Sequence, residues 1–205
     1  DCDFEEQDAF VYSIDKRWKL ERELKALDRL GFRAEFVEQI PIPFPTAGAV
    51  KFPRQAQFHP LKFVAAIAKN LRLFEHTKVL ELGPGKAFTN RGTISADKII
   101  VATHFPLLNK HGGYFLKLYQ HRSYVLALEN APDVHGMYVD ENKKGLSFRN
   151  YGGLLLLGGG SHRTGKQGGG WQELERFAYR DYPDAPITAR WATQDCMTLD
   201  GVPYI

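Results

Sequence analysis

The chain has 205 residues, of which 43% are hydrophobic and 25% are charged, and its formal net charge at pH 7 is +3. This length accommodates one large core or one and a half domains of an ordinary globular protein. The lysines and arginines are scattered among carboxylates, which argues against nucleic-acid binding, and no apolar run of about 18 residues could span a membrane.

Apolar periodicity and turn residues divide the first 75 residues into helices and strands. Strands are predicted at residues 10–12, 32–39 and 49–58, and an extended proline-rich loop at 40–45. A first helix is predicted from a Ser13 cap to about Leu30. A second helix is entered through His59-Pro60. Its buried face is predicted to carry Leu61, Val64, Ala65, Ala68 and Leu71.

The middle of the chain is predicted to form a three-stranded meander followed by a central strand. The meander strands are predicted at residues 78–82, 87–90 and through Ile94, with a glycine turn at 83–85. The β-branched run Ile99-Ile100-Val101-Ala102 is predicted to be a strand buried on both faces.

Short strands with Gly, Asn and Pro between them dominate the last 90 residues. They are predicted at residues 115–119, 123–129, 136–139, 146–151, 154–157 and 187–198. A glycine-rich loop at 158–170 and a helix at 171–182 precede the last of these strands. The sequence therefore predicts an α+β fold with a mostly antiparallel sheet flanked by helices.

Two glycine motifs suggest nucleotide cofactors but fit poorly. KVLELGPG, residues 78–85, is similar to the first motif of S-adenosylmethionine methyltransferases, which needs a helix directly after the glycines. The stretch 86–94 is too short and polar for that helix. GSHRTGKQ, residues 160–167, nearly matches a phosphate loop, but Gln167 replaces the hydroxyl that would bind magnesium. A β-turn in a meander is the favoured interpretation of the first motif, and a mobile glycine loop over a pocket is favoured for the second.

The cysteines, the histidines and one arginine are further candidates for chemistry. Cys2 and Cys196 are far apart and indicate free thiols in a reducing, cytoplasmic setting. The seven histidines lack metal-ligand spacing, so no metal site is predicted, although His104 directly follows the predicted central strand. Strand alternation places Arg149 on one sheet face, where its guanidinium could bind a substrate carboxylate.

The stretch GTISADKIIVATH, residues 92–104, resembles the strand that re-enters the FAD-binding domain in flavin oxidoreductases of the D-amino-acid/glycine/sarcosine oxidase family. The closing stretch WATQDCMTLDGVPYI, residues 191–205, is similar to that family's approach to the flavin, with Asp195 where Arg often stands. The helix after His59-Pro60 and the segments 78–82 and 154–159 follow in the family's order.

This resemblance implies a flavin-oxidase substrate-binding domain with a partial FAD-domain meander and strand. The implied organisation is the start of the substrate domain at 1–75, a partial FAD-binding domain at 76–110 and the antiparallel substrate-binding domain at 111–205. The family's G-x-G-x-x-G unit for the FAD pyrophosphate is absent. We therefore expect an internal fragment whose partners are the missing FAD-domain segments of the same polypeptide, and which is inactive alone.

The resemblance also assigns roles to residues of this chain. It implies FAD contacts by Val79, Ala102, Thr103, His104, Asp200, Gly201, Val202 and Pro203. It implies a substrate side lined by Arg149, Leu157, Gly158 and Gly159. The implied reaction is hydride transfer from a small amine or amino acid to FAD, and the catalytic residues stay unidentified. Some relatives carry a further Rieske iron–sulfur domain.

Two other functions stay open at this stage. One is a methyltransferase-like protein that uses KVLELGPG, and the other is a binding module without a cofactor. Topology separates the first from the flavin family, because a meander after Leu82 supports the flavin family and a helix there supports a methyltransferase.

Overall fold

A computed structural model describes residues 1–105 and 113–202, and the chain divides into two compact units. The smaller unit contains Asp1–Asp3 and His59–Leu116, and the larger contains Phe4–Phe58 and Lys117–Ile205. In chain order the elements are β1 (Glu5–Tyr12), α1 (Arg17–Arg29), β2 (Glu35–Val37), β3 (Ala49–Gln57), α2 (Pro60–Ala68), β4 (Val79–Gly83), β5 (Lys86–Thr89), β6 (Gly92–Ser95), α3 (Tyr114–Lys117), β7 (Leu118–Leu128), β8 (Met137–Asp140), β9 (Ser147–Tyr151), β10 (Leu154–Arg163), α4 (Trp171–Asp181) and β11 (Ile187–Thr198).

The larger unit is built on an eight-stranded sheet in the order β11-β7-β10-β9-β8-β1-β3-β2. Its neighbouring strands are antiparallel except β1 and β8, which run parallel. A bulge in β3 puts Arg54 at φ 55 and gives that strand one residue more than β1 across the same span. The predicted α+β fold with a mostly antiparallel sheet is confirmed.

The core of the larger unit lies on one face of this sheet, which we call the core face. Leu126, Phe148 and Leu157 project from the central strands and are fully buried. Helix α4 covers β10 and β7 with Leu174 and Ala178. Because strand side chains alternate, the next residues along each strand point to the opposite face, which we call the groove face.

The smaller unit contains α2 and the three-stranded antiparallel sheet β4-β5-β6. Helix α2 begins where the sequence predicts, because His59 Nδ1 accepts a hydrogen bond of 3.3 Å from Lys62 N and Pro60 occupies the first turn. The predicted meander is confirmed. A strand follows the glycines where a methyltransferase requires a helix, so that alternative is wrong.

Two predictions of burial in the smaller unit are wrong. No α2 residue is buried, and Leu61 is 74% exposed on the helix face that was predicted to be internal. The run Ile99–Ala102 forms no strand, and Ile100 is 90% exposed. Both segments have the apolar pattern of core elements, but the described residues supply no strand or helix to cover them.

Three predicted boundaries in the larger unit also differ. Residues 115–119 begin with the short helix α3, and β7 is one continuous strand. Strand β10 continues through Arg163, because β7 pairs with the glycine stretch that was predicted to be a loop. Helix α1 starts at Arg17, since Ser13 Oγ accepts from Lys16 N at 3.0 Å in the preceding turn.

Candidate functional site

An apolar groove lies on the groove face of the central strands and encloses about 430 Å³. Six strands of the sheet contribute to its lining, and β11 contributes only Trp191. Its lining consists of Ala9, Phe10, Val11, Val125, Met137, Tyr138, Val139, Ser147, Phe148, Arg149, Leu156, Gly158 and Trp191. A cavity of this size and character is typical of small-molecule sites.

Strand register brings the groove residues together. Residues paired across antiparallel strands share a face, and Leu156 pairs with Arg149 while Gly158 pairs with Ser147. Gly158 lets the Ser147 hydroxyl lie close to the backbone of β10, because a Cβ at 158 would displace Ser147 Oγ. The polar end of the groove therefore combines Ser147 and Arg149 on β9 with the bare backbone of β10.

The Arg149 guanidinium is held by a buried amide. Arg149 Nη1 donates a hydrogen bond of 3.1 Å to Gln57 Oε1, and Gln57 is only 6% exposed. Gln57 Nε2 in turn donates to Glu5 Oε2 at 2.7 Å and to Asn150 O at 2.9 Å. Because the amide is fixed by three partners, it restricts the orientation of the guanidinium.

The electrostatics of the groove favour a ligand with one anionic end. Arg149 is the charged side chain of the lining, and Gln57 takes one N–H of a guanidinium that has five. Burial raises the pKa of Tyr138 to about 12, and its hydroxyl donates to Val134 O at 2.9 Å. Tyr138 therefore stays neutral, and because it pairs with the core-face residue Phe148 its ring packs in the core and adds no charge to the groove.

The structure brings together two of the four predicted substrate residues. Arg149 and Gly158 line the groove. Leu157 is fully buried in the core, and a Cβ on Gly159 would contact Leu146 and Leu174 on the core face. Strand alternation sends successive residues to opposite faces, so one strand cannot present 157, 158 and 159 to the same ligand through their side chains.

The predicted FAD residues fall in both units. Val79 pairs with Thr89 in the smaller sheet. Ala102, Thr103 and His104 are exposed, with Thr103 Oγ1 donating to Phe105 O at 2.7 Å. In the larger unit Asp200, Gly201 and Val202 form a bend in which Val202 N donates to Asp200 Oδ1 at 3.1 Å. Pro203 lies outside the described residues.

The described residues do not form a complete FAD site. A dinucleotide cofactor needs a glycine-rich turn at a helix N-terminus for its pyrophosphate, and no G-x-G-x-x-G occurs in the sequence. Residues 102–104 are exposed to solvent. We therefore assign no reaction step to a bound flavin.

The sequence analysis did not identify Gln57, which contacts Arg149, or Trp191, which lines the groove. Gln57 lies 92 residues from Arg149 along the chain, and no local pattern links the two. Trp191 belongs to the motif that resembles the family's approach to the flavin, and it faces the groove opposite Val125. The alternation of side chains along β11 between the two sheet faces could have placed Trp191 on the groove face.

No group of three or more His, Cys, Asp or Glu side chains in residues 1–105 and 113–202 could hold a metal ion. Within the same ranges no helix is long and apolar enough to cross a membrane.

Comparison with known proteins identifies the family. The model of the DAO family, described as FAD dependent oxidoreductase, matches residues 1–205. A Bacillus subtilis (strain 168) protein, YhfW, named as a Rieske 2Fe-2S iron-sulfur protein, is 30% identical over 224 aligned positions, which cover 100% of this chain and 44% of that protein.

Solved structures share the fold. Glycine oxidase from Geobacillus kaustophilus superposes with a TM-score of 0.82 at 21% identity, over 100% of this chain and 62% of that one. Glycine oxidase from Bacillus cereus ATCC 14579 superposes with a TM-score of 0.79 at 16% identity, over 100% of this chain and 64% of that one. The chain thus spans less than two thirds of each of these relatives. By the match along its whole length, the chain belongs to the family of FAD dependent oxidoreductases.

Proposed function

We propose that the protein containing this chain oxidises the C–N bond of a small amine or amino acid, with FAD as the hydride acceptor. Membership of the FAD dependent oxidoreductase family supports the reaction class. The redox chemistry belongs to the flavin, and the protein supplies binding, orientation and exclusion of water. The larger unit supplies the substrate-binding part of this function.

The observation that carries the proposal is the position of Arg149 in the wall of an apolar groove. A guanidinium can bind a carboxylate through two parallel N–H donors, which fixes both the position and the direction of the substrate. The aliphatic side chains of Val125, Val139 and Leu156 offer no polar competitor to the rest of the ligand. An amino acid would therefore bind with its carboxylate at Arg149 and its side chain along the apolar wall.

Gln57 acts in this scheme as a positioning residue. It contacts the guanidinium and does not line the groove. Its own partners on β1 and β9 are fixed within the sheet, so the amide sets one direction of the guanidinium before a substrate arrives. Such preorganisation lowers the entropy that binding has to overcome.

We further propose that FAD is bound only when residues beyond these 205 complete its site, so that this chain alone is inactive. Three facts support this proposal: the absence of G-x-G-x-x-G, the exposure of Ala102–His104, and the exposed apolar side chains of α2. Val79, residues 102–104 and residues 200–203 are proposed to contact the cofactor in the complete site. The segment 76–110 would then serve the cofactor, and the segment 111–205 would serve the substrate together with the start of the substrate domain in 1–75.

FAD titration of this chain and of the complete protein, followed by flavin fluorescence, tests the family function. A flavin-loaded complete protein beside a chain that does not quench flavin fluorescence is the expected result. If the complete protein also fails to bind FAD, the proposed function is wrong. Tight FAD binding by the chain alone would contradict the second proposal and leave the first intact.

Substrate recognition is tested by Arg149→Ala in the complete protein. We expect KM for an amino-acid substrate to rise roughly 10- to 100-fold, the effect of removing a charged hydrogen-bonding partner that contributes about 1.5–3 kcal/mol. Arg33→Ala is the matched control, because Arg33 is an exposed arginine outside the groove. An unchanged KM for Arg149→Ala would remove this residue from the site.

The name of the Bacillus subtilis relative suggests a second redox centre. We propose a Rieske cluster as an electron acceptor in the complete protein. Such a cluster needs two cysteines and two histidines, and no such group occurs among the described residues. Electron paramagnetic resonance of the reduced complete protein tests this, and the absence of a Rieske signal in iron-replete protein would reject it.

A further inference from the structure

A second cavity of about 520 Å³ lies at the other end of β7 and β10, and we call it the basic cavity. Four parts of the larger unit surround it: the start of β7, the β8–β9 loop, the end of β10 with the following glycine loop, and the start of α4. Its lining consists of Tyr119, His121, Lys143, Lys144, Ser161, His162, Arg163, Gln167, Gly168, Gly169 and Glu173. None of these residues lines the groove that contains Arg149.

Positive charge is concentrated in this lining. The lining contains three cations and one carboxylate. The cations are Lys143, Lys144 and Arg163, and the carboxylate is that of Glu173. None of the ion pairs in the described part of the chain includes any of the three cations. Three cations without a described carboxylate partner around one cavity repel one another, and that repulsion is relieved by a bound anion.

Neighbouring rings position Arg163 and His162 in the wall of the basic cavity. The Arg163 guanidinium lies 5.0 Å from the centre of the Tyr119 ring, a cation–π contact. His162 Nε2 is 2.9 Å from Tyr124 Oη, and His162 Nδ1 is 3.0 Å from Arg163 O. With both ring nitrogens engaged, His162 forms part of the wall, and Lys143, Lys144 and Arg163 are the cations of the lining that an anionic ligand would contact.

The glycine loop brings backbone close to the same space. A Cβ on Gly168 would lie 2.2 Å from His162 Cβ, and a Cβ on Gly169 would lie 1.8 Å from Glu173 Oε2. The glycines thus allow the loop to pack directly against the cavity wall. The N–H groups of Gly168 and Gly169 make no hydrogen bond with any described residue. Successive backbone N–H groups beside lysine and arginine are the usual donors to phosphate oxygens.

We propose that the basic cavity binds the diphosphate or triphosphate group of a small molecule. The volume lies within the range of about 300–1,000 Å³ for small-molecule sites and exceeds the space that a single phosphate fills. We do not expect the basic cavity to hydrolyse nucleotides. Strand β10 continues to Arg163 where a phosphate loop would have turned, and Gln167 supplies no hydroxyl for magnesium.

Calorimetric titration of the purified protein with inorganic pyrophosphate and tripolyphosphate tests the proposal, with sulfate at equal ionic strength as the reference anion. We expect saturable binding at one site and a tighter interaction than with sulfate. Lys144→Ala should weaken pyrophosphate binding about tenfold, the effect of losing one charged hydrogen bond. Glu173→Gln should strengthen it, because it removes the carboxylate of the lining.

Lys166→Ala is the matched control for Lys144→Ala. Lys166 is an exposed lysine in the same glycine loop but outside the lining, so its removal changes the net charge equally. The affinity of the Lys166→Ala variant for pyrophosphate should stay within about twofold of the affinity of the parent protein. Equal losses in both variants would show that only overall charge matters, and pyrophosphate binding no tighter than sulfate binding would also overturn the proposal.

The phosphate headgroup of a membrane lipid is the other possible source of an anionic ligand for the basic cavity. Sedimentation with vesicles distinguishes a lipid from a small molecule. Vesicles of phosphatidylcholine that contain phosphatidic acid should leave the protein in the supernatant if the ligand is a small molecule. Sedimentation that Lys144→Ala abolishes would overturn the small-molecule assignment. Circular dichroism of each variant confirms that it is folded before its affinity is compared.

Discussion

Arg149 Nη1 and Gln57 Oε1 lie 3.1 Å apart and join β9 to β3 across two intervening strands and 92 residues of sequence. This hydrogen bond restricts the orientation of the guanidinium at the charged end of the groove. Because Gln57 is buried and has two further partners, removing either side chain leaves a polar group without its acceptor or donor.

The first prediction is that Gln57 and Arg149 are energetically coupled. Gln57→Ala should lower the free energy of unfolding by about 1–3 kcal/mol, since the partners of a buried amide lose their hydrogen bonds. In a double-mutant cycle with Arg149→Ala, the coupling should be about 0.5–3 kcal/mol, measured by urea denaturation. Gln55→Ala is the control, because Gln55 is an exposed glutamine of the same strand. Additive effects would show that the 3.1 Å contact contributes no stability.

The second prediction concerns Leu157, which was expected beside the substrate but lies in the core. Leu157→Ala should lower the free energy of unfolding by about 2–5 kcal/mol through lost burial and the cavity left behind. Leu199→Ala removes the same atoms from an exposed site of the same unit and should change stability little. If the two variants unfold at the same urea concentration, the core assignment of Leu157 is contradicted.

The third prediction separates backbone strain from packing in the glycine loop. Gly160 has φ 59 and Gly165 has φ 82, so alanine is strained at both positions. A Cβ on Gly160 would lie 2.4 Å from Gly170 O, whereas a Cβ on Gly165 meets nothing within 4 Å. Gly165→Ala should cost about 1–2 kcal/mol and Gly160→Ala about 1–3 kcal/mol more. Chemical denaturation of both variants tests this difference, and equal costs would contradict the close approach of the two backbone segments.

The fourth prediction is a pH dependence from Asp140. Burial raises the pKa of this carboxyl in the folded state, and the hydrogen bond from Asn142 N only partly offsets it. A raised folded-state pKa means that folding favours the protonated form. Its contribution to stability is therefore complete below the ordinary carboxyl pKa and is lost as the pH rises through the raised pKa.

Asp140→Asn keeps the acceptor for Asn142 N and removes the charge. Its melting temperature should exceed that of the parent protein at neutral pH, and the gain should vanish in acid. Asp133→Asn is the control, because Asp133 Oδ1 accepts the equivalent bond from His135 N at 2.7 Å on an exposed side chain. A pH-independent effect of Asp140→Asn would exclude burial of the charge as its cause.

The sequence by itself determined the elements whose signals are local. Alternating or β-branched residues predicted β3 and β11 closely, and the cap His59 with Pro60 predicted the start of α2. The meander β4-β5-β6 followed from short strands around a glycine turn. These features depend on contacts between residues near each other in the chain, which a sequence pattern records directly.

Only the tertiary structure decided what depends on distant neighbours. Pairing with β7 and β9 turned the predicted glycine loop at 158–163 into strand and thereby set Gly158 toward the groove and Leu157 into the core. The apolar run Ile99–Ala102 has a strand's composition but forms no strand, since a strand exists only through hydrogen bonds to a neighbour. Gln57 became part of the site because the fold brings β3 and β9 within reach of one another. No pattern within either strand encodes that distance.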